Sequence, residues 1–190
     1  MALDLTYINA AALRVGEEAI TDASDGSPLG KIASHNYELL VRAELGKHRW
    51  RFASKTVALN AISGTPDEPW LYAYTAPTDL MLLRTVKAGG KPIPYEQMYN
   101  KVLTDTDPDT GVIAHYAWRP PESYWPPFFG EIIIRRLEAM ILRSIKERHD
   151  EAKERDTAAE VQFREARRLD SQSSTPVDPW TSPALEARRG

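Results

Sequence analysis

The feature that most constrains this chain is a change of hydrophobic period along its length. Both ends repeat at helical spacing, the middle alternates as strands do, and prolines cluster at the boundaries. Leu5, Ile8, Ala12 and Val15 mark one helical face, with Asp4 or Thr6 as a possible cap and Gly16 as a stop. Residues 21–30 (TDASDGSPLG) read as a loop. A second helix is predicted over about 32–48, with Ile32, Leu39 and Ala43 on one face and Tyr37, Leu40, Val41 and Leu45 widening the apolar stripe. From about 55 to 119 the period shortens. Leu71–Thr75, Leu80–Val86 and Val112–Trp118 carry strand signals, separated by Pro/Gly/Asp-rich turns. Tyr95–Leu103 reads as a strand, or as a short helix leading into one.

Trp125-Pro126-Pro127 opens a third helix, because proline is well tolerated in a first helical turn. Ile134, Leu137, Ile141 and Ile145 mark its face, widened by Ile133, Met140 and Leu142. Residues 146–170 hold seven Lys/Arg and eight Asp/Glu, with i,i+4 charge pairs such as Glu160 and Arg164. They predict a long helix, either mostly solvated or packed on a neighbouring subunit. Residues 171–190 hold three prolines and no periodicity, and read as an extended tail. The fold class expected is α+β: a four-helix bundle-like helical domain (1–54 and 120–170), an inserted antiparallel β-domain (55–119) and an extended C-terminal tail (171–190).

Composition narrows the chemistry. At 190 residues the chain is long enough for one core, possibly with an insert. It has no cysteine, which removes disulfides, thiolate metal sites and thiol catalysis. A net charge of −3 argues against broad nucleic-acid binding. No leader pattern stands at the N-terminus and the longest apolar runs are short, so a soluble protein with no membrane contact is expected. His35, His48, His115 and His149 share no ligand spacing. Lys87–Pro92 lacks the P-loop pattern and reads as a hairpin turn. Asp105–Gly111 superficially resembles a calcium loop, but its glycine falls one place late, Pro108 intrudes and the last ligand position falls on Tyr116. The basic run Lys47–Arg51 reads as a helix C-terminus followed by a core aromatic. No nucleophile elbow is present. The residues by themselves point to a mixed, non-enzymatic, assembling protein with no cofactor and no metal.

The order of features then resembles a known family. It begins with Ala12–Ile20, a helix ending in Gly-Glu before a loop with Asp22 and Asp25. It continues through Tyr37, Arg42 and His48–Ala53, then Tyr72–Leu80, close to a Tyr-x-x-Pro-x-Asp-hydrophobic pattern. Pro127-Phe128-Phe129 follows the β-segment, and Arg164–Asp170 precedes the Pro-rich tail. Over about residues 5–176 the chain resembles the tail tubular protein A and head–tail adaptor proteins of tailed bacteriophages and gene transfer particles. The order and spacing of these short motifs, rather than any single one, carry the likeness.

The resemblance implies a bundle in which the helices of the two ends pack together and the strands project away. It implies a structural virion protein at the head–tail interface, made in the host cytoplasm. Copies would form a ring of about twelve beneath the portal protein, extend the DNA channel and give the next tail or nozzle protein its platform. Genomic DNA would pass without specific binding, and no catalysis is expected. Phe163, Leu169, Trp180 and Leu185 would dock on the portal, with Trp180 as the anchor. Trp70, Tyr72 and Tyr74 would face tail proteins or neighbouring copies, whereas Trp118 suits the sheet core better. Trp50, Phe52, Leu137 and Ile141 would close the helical core. The alternatives are a scaffold or regulatory interaction protein outside the virion, or a small enzyme with a scattered site.

Overall fold

The computed structural model describes residues 4–64 and 68–172. Within them the protein is mixed α+β, with helices at both ends of the chain and two antiparallel sheets between. Helix α1 is Thr6–Arg14, and the Asp4 carboxylate accepts from the Thr6 N–H at 2.9 Å. Gly16 follows at φ 74°, a conformation that L side chains avoid. The next helix starts earlier than the periodicity suggests. Ser27 caps α2 (Pro28–Lys31) by accepting from the Gly30 N–H at 2.9 Å, and Pro28 supplies the first helical residue. A π-helical turn (Ile32–Asn36) then leads into α3 (Tyr37–Gly46). This wider turn is why a uniform helical period describes residues 32–36 poorly.

The strands are β1 Ser54–Ala58, β2 Tyr72–Thr75, β3 Leu82–Ala88, β4 Lys91–Pro92, β5 Glu96–Met98, β6 Lys101–Thr104 and β7 Val112–Ala117. One sheet has the order β1-β7-β3-β4 and the other β2-β6-β5. Gly89 and Gly90, both at positive φ, turn β3 into β4. Tyr95–Leu103 resolves into β5, a tight turn with Tyr99 at φ 51°, and β6. In the acidic segment before β7, Asp107 accepts from the Asp109 N–H at 2.9 Å and caps a 3-10 turn, Pro108–Thr110.

Helix α4 (Pro127–Ser144) and helix α5 (His149–Gln172) form an antiparallel pair, with Arg136 beside Asp156 and Arg143 reaching the same residue. Helix α4 buries Phe129, Ile132, Ile133, Leu137, Ile141 and Leu142, while Ile134 and Ile145 lie only partly covered. Its core face is therefore turned toward 133, 137 and 141. The hydrophobic residues fall into two clusters. One draws on both ends of the chain: Ile8 and Ala12, Tyr37 to Ala53, and Trp125 to Ala166. The other draws on residues between 59 and 118: Leu59, Tyr74, Leu83, Val86, Val102, Val112, Ala114 and Tyr116. Trp50 joins the layers of the first, with ring contacts to Phe52, Phe128, Phe129 and Phe163 at centroid distances of 5.4–6.2 Å. Among the described residues no helix is long and apolar enough to cross a membrane.

Candidate functional site

A cleft of about 580 Å³ lies where α3, the β2–β3 connection and the chain leaving β7 meet. Two polar clusters build its walls. On the strand side, Lys55 reaches Asp79 at 2.6 Å and lies 3.5 Å above the Trp118 ring centroid. The Tyr116 hydroxyl donates to the other Asp79 oxygen at 2.8 Å. Burial pushes the Asp79 carboxyl up, but the Lys55 and Tyr116 hydrogen bonds outweigh it and hold the group below the usual range. The same contact, after burial, drives the Tyr116 phenol up to about 12.

On the helical side Arg119 is the hub. Its Nε donates to Glu38 at 3.1 Å, and its two terminal nitrogens donate to the two Glu122 oxygens at 3.0 and 2.6 Å. Its guanidinium lies 5.2 Å from the Trp125 ring centroid, and the Tyr37 hydroxyl donates to Glu122 at 3.2 Å. Burial raises the Glu122 carboxyl, and the Arg119 hydrogen bonds more than reverse this, so it too sits below its ordinary value. Asp79 and Glu122 are therefore paired charges at neutral pH, Asp79 tying β1 to β7 and Glu122 holding Arg119, which reaches Glu38 on α3. Chain order explains the arrangement: the strand exit, Trp118-Arg119-Pro120, places an aromatic on the sheet side and a cation on the helix side.

The second polar concentration lies between α3, α4 and α5. Arg136 donates to Glu44 at 3.1 Å, to Asp156 at 3.0 Å and to Glu160. Lys47 also reaches Glu44, at 2.6 Å. Burial opposes the Arg136 charge, and the bond to Asp156 and the attraction of Glu44 outweigh it. Glu138, 2% exposed, is held between Arg14 at 3.4 Å and Arg155 at 3.3 Å, and Arg14 also pairs with Glu131 at 2.9 Å. At the C-terminal end of α5, Asp170 accepts from the Arg51 N–H at 3.2 Å, with His48 at 3.7 Å. Arg155, Asp156, Glu160 and Asp170 of α5 thus pair with the rest of the chain, while Lys153, Glu154, Arg164 and Arg167 are exposed. Ala152, Ala159, Phe163 and Ala166 are its buried apolar seam.

The residues singled out from sequence fall in different places. Phe163 is 8% exposed with its ring edge-on to Trp50, so a role on an outward docking face is corrected: it belongs to the helical core. Leu169 is partly buried, and Trp180 and Leu185 lie outside the described residues. Tyr74 is also corrected: it is 1% exposed and donates to the Thr106 carbonyl at 2.7 Å, so its side chain lies inside the strand cluster rather than on an outer face. Trp70 and Tyr72 stay near the surface, donating to Glu96 at 2.8 Å and Asp107 at 2.9 Å. Trp50, Leu137 and Ile141 are buried in the helical cluster, and Phe52 packs against it. Trp118 is only partly buried and lines the cleft.

Sequence reasoning missed the Lys55–Asp79–Tyr116 and Glu38–Arg119–Glu122 clusters, which join distant parts of the chain, Arg119 and Glu122 alone being near neighbours in it. It also missed Tyr99, the most exposed aromatic among the described residues, at 93% on the β5–β6 turn. Among the described residues no group of three or more His, Asp or Glu is placed to hold a metal ion. The chain matches no known protein family and no curated protein.

Proposed function

We propose that this chain is a structural connector of a phage-like particle, a head–tail adaptor that closes into a ring of about twelve copies beneath a portal protein. In this reading the helical cluster is a four-helix bundle and residues 55–119 form a β-domain inserted into it. The ring extends the DNA channel, carries no catalytic site and offers a platform to the next tail component. The observation that carries the reading is the split of the core. One hydrophobic cluster is assembled from both ends of the chain and the other from the segment between them, as a bundle with an insert requires. The ordered polar clusters support it, since their carboxylates are engaged with cations rather than left as proton carriers.

Surface chemistry leaves material for neighbours. Leu13, Leu39, Leu71, Tyr99 and Val161 each expose most of their side chains, at separate places on the helices and the strand turns. Interfaces on opposite flanks suit a heterologous contact whose rotation closes. The test is the protein content of purified particles from the source of this sequence. The chain is expected in them at about the copy number of the portal. Its absence from intact particles would remove the adaptor reading in favour of a scaffold or regulatory role outside the virion.

A further inference from the structure

Charge is unevenly placed on this protein, and one face gathers cations that no carboxylate of the described residues pairs with. The basic run Lys47–Arg51 divides on folding. Lys47 turns to Glu44 and Trp50 enters the core, while Arg49 and Arg51 stay exposed and, with Ser54, line a hollow of about 360 Å³. The outer face of the β1-β7-β3-β4 sheet continues from there. Along β7, Ala114 and Tyr116 enter the strand cluster, so Ile113 and His115 face the other way. The register sets Thr56, Thr85 and Lys87 beside them. Between Leu83 and Thr85 the pairing of β3 with β7 shifts, so Arg84 is the extra residue of a bulge, a device that re-aims a side chain. Its guanidinium donates to the His48 carbonyl at 3.0 Å.

The two histidines register the same concentration of charge. Burial, and then the charge of Arg167 reaching over from α5, hold His48 below its ordinary range against the pull of Asp170. Burial, and then Lys87 and Arg49, do the same to His115. Asp170 itself is 3% exposed and already meets the Arg51 N–H and His48. Among the described residues none of Arg49, Arg51, Arg84, Lys87 and Arg167 forms an ion pair. Elsewhere the pattern is the reverse: Arg14, Arg42, Arg119, Arg136 and Arg143 each meet a carboxylate. Because the whole chain stands at −3, the surface away from this face is the more acidic, and a polyanion is drawn to this side.

The chemistry of the face suits phosphate better than protein. Protein-docking patches centre on packed aromatic anchors, and single-stranded nucleic acid asks for aromatic rings to stack on. Here Trp50 is buried, Trp118 lies with Lys55 in the cleft, and Leu82 and Ile113 are mostly covered. What the face offers is guanidinium groups, whose planar fork matches phosphate oxygens. From Arg84 to Lys87 the strand runs about 10 Å, against one phosphate for about every 3.4 Å of axis along each strand of a duplex. We propose that the face built from Arg49, Arg51, Arg84, Lys87 and Arg167 is a contact surface for the phosphate backbone of duplex nucleic acid, independent of sequence. An open contact to phosphates alone lets the duplex slide. The inference stands without the adaptor reading; in that reading, this is the face turned toward the channel.

Fluorescence anisotropy of a short labelled DNA duplex of arbitrary sequence, titrated with the full chain, tests it. At about 50 mM salt a dissociation constant of about 1–100 µM is expected, weakening about a hundredfold or more by about 200 mM. Arg49→Ala with Arg51→Ala should weaken binding at least about tenfold, as should Lys87→Ala with Arg167→Ala. Lys153→Ala, an exposed cation roughly 21 Å along α5 from Arg167, should leave it unchanged. The thermal midpoint reports that each variant is folded. Absence of binding at low salt would overturn the proposal, as would equal losses in all the variants. Tighter binding to polyglutamate than to the duplex would also overturn it, by assigning the face to an acidic protein. Neither portal nor particle enters the measurement, so it succeeds or fails separately from the adaptor reading.

Discussion

At the scale of residues, the structure spends its charge on a few hubs. Arg136 is the clearest case, a mostly buried guanidinium that pairs with one oxygen of Glu44, itself 2% exposed, while reaching Asp156 and Glu160 on α5. Removing one partner of a buried set leaves an uncompensated charge, so Arg136→Ala should cost about 3 kcal/mol in urea unfolding. Arg143, which meets Asp156 from an exposed position, should cost less than about 1 kcal/mol when made Ala. Equal losses would contradict this ranking. The carboxylates also set a pH dependence. Asp79, Glu122 and Asp156 titrate lower in the folded chain than their ordinary values, because cation contacts overcome burial. Their contribution is complete above the unfolded-chain pKa of about 4 and is lost as pH falls through the lower folded values. Stability measured by denaturant should therefore drop on acidification through that window, and Glu122→Gln should make the drop shallower. A profile unchanged by that substitution would contradict the assignment. None of these hubs was legible in the sequence. Arg119 meets Glu38 from 81 positions away and Arg136 meets Glu44 from 92, and no local spacing carries such a pair.

At the scale of elements, close approach decides more than propensity. Gly130 on α4 sits against α1: a Cβ there would fall 2.6 Å from the Tyr7 ring, which also packs 5.0 Å from Trp125. Gly130→Ala should destabilise by about 1–3 kcal/mol through overpacking. Gly46, the last residue of α3, has open space around its Cβ position, and Gly46→Ala should stabilise by about 0.5 kcal/mol. The two alanines are thus expected to shift the thermal midpoint in opposite directions, and a shared direction would contradict the packing argument. Much of this level was legible. The period change located the helices and most strands, and Pro127 marked the start of α4. What escaped has physical causes. The π turn at Ile32–Asn36 breaks the 3.6 period, and Ser27 with Pro28 starts its helix inside a stretch that reads as loop. β1 is nearly all polar or small, because an edge strand needs little apolar alternation. The outward aromatic face expected at Tyr72 and Tyr74 failed in part because the two residues share one face of β2, and that face turns toward the strand cluster, burying Tyr74 and partly covering Tyr72.

At the scale of the whole molecule, the net charge of −3 and the absence of cysteine fit a protein that acts by shape and contact. A conduit of the proposed kind must let DNA slide, and a chain without excess positive charge does not grip the backbone. Helix α5 pairs part of its charge with α4, Asp156 with Arg136 and Arg155 with Glu138, and leaves other charges such as Lys153, Glu154, Arg164 and Arg167 exposed. In the proposed ring, contacts would come from exposed residues of this kind and from those at the turn surfaces. Electron microscopy of the purified chain mixed with a portal protein from the same source tests the central claim most directly. The account predicts closed rings of about twelve copies seated on the portal. A chain that stays monomeric and leaves the portal bare would contradict it.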